Sequence, residues 1–166
     1  MRSEERLLAV GGVHALEGAG PCQLKDVEPA SALEDLHWKD ALVVRAHGEG
    51  HAELACGDHR VRLQLVKPDR LELMLVDDHV AVGKRFQVRA VPRDRSGREL
   101  EIGKWTEITW RGDGVVAPDD DKSAGEFGLA STSFGVHGFR ASAASGGTVE
   151  ARLGEAVGTL RVTASP

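Results

Sequence analysis

The sequence predicts an all-β protein made of two tandem antiparallel β-sandwiches. Three observations carry this. First, Phe86, Val88 and Ala90 alternate with Arg85, Gln87 and Arg89. Leu71, Leu73 and Leu75 alternate with Glu72 and Met74, and Val61, Leu63 and Leu65 with Arg62 and Gln64. This period of two belongs to strands with one buried face. Second, these runs are divided by turn clusters such as Pro92-Arg93-Asp94-Arg95-Ser96-Gly97. Third, the hairpin-like stretch from Gly48 to Gly57, continuing through Val61 to Val66, occurs twice. Adding 97 carries Gly50, Glu53, Gly57 and Leu63 onto Gly147, Glu150, Gly154 and Leu160.

In chain order, Met1 to Arg6 is polar and lacks the apolar core of a secretory signal. A strand-like segment opens at Leu7, and adding 72 carries Ala9-Val10-Gly11 onto Ala81-Val82-Gly83. The same offset carries Leu36-His37-Trp38 onto Ile108-Thr109-Trp110. The second copy therefore holds 97 − 72 = 25 extra residues between Arg111 and Gly138. A repeat of several elements in one order reads as tandem units. Residues 1–68 form a short first domain, and 69–166 a second with a long insertion at 111–138. The boundary falls near Lys67-Pro68-Asp69. The alternative is one larger pseudo-symmetric sandwich. A single helix is expected, one or two turns from Ala30 to Leu36 with Ser31 as its cap.

The second copy has a full strand, Arg70 to Val76, ahead of its Ala-Val-Gly; the first has only Met1 to Arg6 there. The first copy thus lacks its first strand or takes it from elsewhere. From this, the chain is expected to be cut from a longer protein with a signal sequence upstream.

Composition excludes some functions. The chain of 166 residues is 41% hydrophobic and 28% charged, ordinary for a folded domain. Its net charge of -5, with acids and bases interspersed, is not that of a nucleic-acid binder. No run of about 18 apolar residues exists, so no membrane span is expected in this chain.

Four motifs invite chemistry. His47-Gly48-Glu49-Gly50-His51, with Cys56 and His59 nearby, contains metal-ligand types, but glycines replace the helical spacing of a zinc protease. A turn with solvent-facing histidines accounts for it equally. Asp119-Asp120-Asp121 with Ser123 and Glu126 is the densest acid cluster, yet the sixth and twelfth loop positions are Ala124 and Ala130. A calcium loop needs Gly and Glu there, so at most weak calcium binding near Asp119, Asp120 and Asp121 is expected, and no cofactor. Lys84, Arg85, Arg89, Arg93, Arg95 and Arg98 make a basic run, with Arg85 and Arg89 on one strand face. Arg85, Arg89, Arg93 and Arg95 are the candidate binding face for an acidic partner; edge protection by charge is the plainer alternative. Arg111-Gly112-Asp113 spells an integrin tripeptide at a loop start. The Ser residues form no Gly-x-Ser-x-Gly elbow, and no glycine-rich loop ends in Gly-Lys-Ser or Gly-Lys-Thr. No catalytic role is expected.

Cys22 and Cys56 both fall in the first copy, and Cys56 is in phase with the core-facing Ala52 and Leu54. They are a disulfide candidate, which would assign the protein to an oxidising compartment; two buried thiols are the alternative.

The second copy resembles bacterial immunoglobulin-like domains of the group 2 type found in intimin- and invasin-like surface proteins. The likeness rests on Ala81-Val82-Gly83, Phe86 to Ala90, Asp94 to Gly97, Ile108-Thr109-Trp110 and the closing Gly158 to Thr163. It covers residues 69–165 and, reduced, 7–67. It implies a non-catalytic module of an exported or cell-surface protein, acting in adhesion, in binding or as a spacer. Partners would be other domains of a longer parent chain, or a protein or polysaccharide at the cell surface. The alternative is an accessory pair in a secreted enzyme or an envelope export assembly. Either is extracytoplasmic: periplasmic, surface-bound or secreted.

Overall fold

The computed structural model describes residues 3–16, 21–38, 41–119 and 135–166. Among them, regular structure is fifteen strands and one turn of 3-10 helix, so the chain is all-β. In the first half, β1 (Ser3–Ala9), β2 (Val13–Ala15), β3 (Cys22–Glu28), β4 (Leu33–Asp35), β5 (Val43–Ala46), β6 (Gly50–Cys56) and β7 (His59–Val66) make two sheets. Their orders are β1-β7-β6-β3 and β2-β5-β4. In the second half come β8 (Arg70–Leu75), β9 (Val80–Ala81), β10 (Arg85–Arg93), β11 (Thr109–Gly114) and β12 (Val116–Pro118). They are followed by β13 (Val136–Ala141), β14 (Gly146–Leu153) and β15 (Ala156–Ser165). These form sheets ordered β12-β13-β10-β8 and β11-β14-β15-β9.

Among the described residues, strand pairs are antiparallel except β1 with β7 and β9 with β15, and the isolated bridge of Leu8 to Glu101 is also parallel. The buried faces are those the alternation marks. Val44, Leu54, Leu63 and Leu65 fill one core, and Phe86, Phe139, Val149 and Val162 the other. The duplicated hairpin has one geometry in both copies. Cys56 pairs with His59, and Leu153 with Ala156, across two-residue turns. Gly57 and Gly154 open these turns at φ 60 and 61, values that glycine reaches without a Cβ penalty.

Three features depart from the sequence reading. The Trp repeat at offset 72 does not survive. Trp110 lies on β11, which pairs with β14, whereas the strand pairing with the matching β6 is β3. Trp38 sits beyond β4 in an isolated bridge to Ala41. An apolar-x-Trp triplet is too short to fix a register. The expected helix is a 3-10 turn at Ala30–Ala32 with Pro29 before it and no side-chain cap. The chain then extends as β4, because Leu33 is held opposite Ala46 on β5. Of the 111–138 segment, the end of β11, β12 and the start of β13 are described, and residues 120–134 lie outside the described residues.

The third feature is a seam between the halves. Among the described residues, no β-strand flanks the outer edge of β2, where β8 flanks β10. The connection between β10 and β11 lies there instead. Ala9 N–H donates to the Glu101 carbonyl at 3.0 Å, and Glu101 N–H to the Leu7 carbonyl at 2.7 Å. Val13 N–H donates to Thr106 Oγ1 at 2.9 Å, and Thr106 is fully buried. A side chain at Gly103 would strike the Val13 carbonyl, so only glycine permits this approach. Arg6 closes the seam with a two-pronged ion pair to Glu101, at 2.9 and 2.8 Å. β1 is therefore paired on both edges. Its residues also alternate between cores: Leu8 is buried with the first, Ala9 with the second.

Candidate interaction face

β10 supplies the candidate face through its alternation. Phe86, Val88 and Ala90 point into the core, which turns Arg85, Gln87 and Arg89 outward. The neighbouring strands continue the pattern, because paired residues share a face. Arg85 is opposite Arg140 on β13, Arg89 opposite Met74 on β8, and Arg93 opposite Arg70. Two carboxylates balance part of this charge. Asp119 receives Arg140 at 3.1 Å and Arg85 at 3.7 Å. Glu72 receives Arg93 at 2.8 Å. Five arginines (70, 85, 89, 93, 140) against these two and Asp77, whose carboxylate accepts from Gln87 N–H at 2.8 Å, leave this face at 5 − 3 = +2, on a chain of net charge -5.

Positioning is built in. A Cβ at Gly138 would fall on the Arg85 guanidinium, so the glycine is what lets that side chain lie across β13. Arg140 also donates to the Gly83 carbonyl at 2.8 Å. Arg89 has no ion-pair partner among the described residues.

Of the sequence candidates, the structure brings Arg85 and Arg89 together and leaves Arg93 on the same strand but tied to Glu72. Arg95 belongs elsewhere. It sits in a turn organised by Asp94, whose Oδ1 accepts from Ser96 N–H, Ser96 Oγ and Arg98 N–H at 2.9, 2.7 and 2.9 Å. Arg98 Nε adds a bond to Oδ2 at 2.8 Å. The Ser96 hydroxyl first, then Arg98, holds the Asp94 carboxyl well below the usual carboxylate range. This turn directs Arg95 to a 710 Å³ cleft shared with Glu49, Lys67, Asp69 and Glu155. Arg140, Met74 and Val76 are face members that sequence reasoning missed. The flanking buried Phe139 and Ala141 marked Arg140 as outward, but register is not readable from a single strand.

The other motifs resolve separately. Cys22 and Cys56 are directly opposite on β3 and β6 and are bonded. His47 approaches Glu34 at 3.1 Å, His51 approaches Glu28 at 3.8 Å and His59 approaches Glu4 at 3.4 Å, each with its own carboxylate. Among the described residues no group of three or more metal-ligating side chains converges. Asp119 faces arginines rather than a cation site, while Asp120, Asp121, Ser123 and Glu126 lie outside the described residues. Arg111-Gly112-Asp113 is not a loop start: it lies within β11, paired to β14. No helix among the described residues is long and apolar enough to cross a membrane. The face presents guanidinium groups, which stay charged and offer forked donors to carboxylates.

No family model matches the chain, and no curated relative matches. Solved structures resemble it in fold. The D00-D0 domain of intimin is 6% identical, with 97% of this chain and 96% of that one covered and a TM-score of 0.41. Domains 5-6 of the S-layer protein SbsC are 13% identical, covering 96% and 92%, with a TM-score of 0.38. A glycosyl hydrolase family 2 member from Bacteroides cellulosilyticus is 12% identical, covering 77% of this chain and 19% of that one, with a TM-score of 0.44. Bacterial surface proteins are thus among the structures it resembles, as the immunoglobulin-like motifs imply; likeness at this level concerns the arrangement of strands and nothing of activity or partner.

Proposed function

We propose that the chain is a non-catalytic pair of immunoglobulin-like domains, 1–68 and 69–166, from an exported or cell-surface protein. It acts as a stiff spacer and adhesive module within a longer parent chain. The observation that carries this reading is the seam. A spacer must hold adjoining units at a fixed angle, and swinging one half against the other would draw Leu8 or Ala9 out of a packed core. The Cys22–Cys56 bond supports an extracytoplasmic location, because disulfides persist in oxidising compartments.

The test is protease treatment of intact source cells, with thiol titration of the denatured, unreduced protein. Cleavage from outside and no free thiol are expected. A protein shielded within the cytoplasm and carrying two free thiols overturns the reading.

A further inference from the structure

We infer that the outer face of β8, β10 and β13 docks an acidic protein that inserts apolar side chains between arginines. This rests on the surface-module reading and names the kind of partner its exposed face fits.

Two independent features meet there. One is charge: Arg85, Arg89 and Arg140 project from adjacent strands, with Asp119 offsetting only part of the charge. The other is apolar exposure. Among the described residues, the exposed large hydrophobic side chains are Met74, at 39%, and Val76, at 49%. Both belong to this face. Met74 is opposite Arg89 in the ladder, and Val76 N–H donates to the Gln87 carbonyl between Arg85 and Arg89. Met74 and Val76 thus sit together beside Arg89 on this face. Met and Arg are enriched at protein interfaces, while Lys and Glu are depleted. Charge complementarity then specifies an acidic partner, and the apolar pair specifies protein over a polyanion, which has no side chains to bury. Asp119 accepts from Arg140 at 3.1 Å, and Gly138 leaves room for Arg85 to lie across β13.

The experiment uses the whole chain, immobilised, as bait for a displayed random-peptide library, with sulfated dextran as the polyanion probe. Variants are Arg89→Glu, Met74→Ser with Val76→Ser, and Arg161→Glu on the opposite sheet as control. All four positions are exposed, and circular dichroism and melting temperature confirm folding. Enriched peptides are expected to combine acidic and apolar residues. They should lose about tenfold or more in affinity to each face variant, weaken with salt and bind the control unchanged. No enrichment, or enriched peptides indifferent to the face variants, overturns the proposal. Dextran binding that is lost with Arg89→Glu but kept with the Ser pair, without peptide enrichment, assigns the face to polyanions instead. Sedimentation showing a dimer that the same variants dissolve assigns it to a second copy of this chain. All of these outcomes leave the extracytoplasmic spacer reading standing, because that reading fails only on location and thiol state.

Discussion

Leu8 and Ala9 are consecutive residues buried in different cores. Leu8 is fully enclosed with Leu54, Leu63 and Val44, and Ala9 equally so with Phe86, Phe139 and Val149. The pleat makes this possible, since successive side chains leave a strand on opposite faces. The two halves should therefore unfold together. Leu8→Ala is expected to cost about 2–5 kcal/mol and to move both halves by the same amount. Fluorescence from variants retaining Trp38 alone or Trp110 alone checks this. Two separated transitions, with only the Trp38 signal displaced, would contradict a shared strand.

The seam makes a second prediction through Thr106. Its hydroxyl is the acceptor for the buried Val13 N–H. Thr106→Val keeps the shape and removes the acceptor, at a cost of about 1–3 kcal/mol for the orphaned donor. Thr106→Ser should recover most of the loss, because it restores the oxygen. Denaturant midpoints of the three proteins decide the matter; a Val variant as stable as the parent means the bond contributes nothing.

His14 gives the pH dependence. It is buried beneath the seam, with Nε2 3.1 Å from the Ala9 carbonyl. A carbonyl only accepts, so Nε2 carries a proton. Burial lowers its pKa most of all; the Ala9 carbonyl and Glu101 pull it part of the way back, and the Arg6 cation adds the smallest, lowering, effect. A folded-state value below the ordinary value of about 6.5 means that the folded protein disfavours the charged ring. This contribution is complete above that ordinary value and is lost as the pH falls through it. His14→Gln keeps a donor and never becomes charged. Between neutral and mildly acidic pH, the melting temperature of the parent should fall relative to that of the glutamine variant. Parallel curves would refute the assignment.

The disulfide closes a sequence separation of 34 residues. Chain entropy puts its contribution at about 3–4 kcal/mol, large for so small a half. Cys22→Ser with Cys56→Ser is expected to lower the unfolding free energy by that amount and, through the shared strand, to weaken the second half as well. Urea titration of the pair variant measures both.

Much of the fold was legible because burial writes itself into alternation. Val61, Leu63 and Leu65 on β7, and Phe86, Val88 and Ala90 on β10, are buried as their spacing requires. Cys56 is inward for the same reason. What stayed hidden was long-range pairing. Nothing local in Leu7-Leu8-Ala9 distinguishes a strand serving one core from one serving two. The segment carrying Glu101, Gly103 and Thr106 reads as ordinary loop until β2 is found beside it. The Trp38 and Trp110 triplets matched in type while their strands differed in partner, and Arg95 matched Arg89 in charge while a turn carried it to another surface. Pattern identifies which face of a strand is buried, and only the folded chain shows what that face meets.

The parallel pairing of β1 with β7 has a mechanical consequence. Tension applied at the start of β1 and at the end of β15 pulls β1 along its own axis, opposite to the pull transmitted through Val66 at the end of β7. The seven facing positions from Ser3 and Arg60 to Ala9 and Val66 are then loaded side by side. Such a ladder yields by sliding as a whole, not by opening one rung after another as a hairpin pulled from its ends would. β9 also runs parallel to β15 at the other end of the chain, over two positions. Lifetime under load is set by the rate of that sliding step and not by equilibrium stability. Cutting hydrogen bonds along β1 should shorten that lifetime more sharply than it lowers the melting temperature.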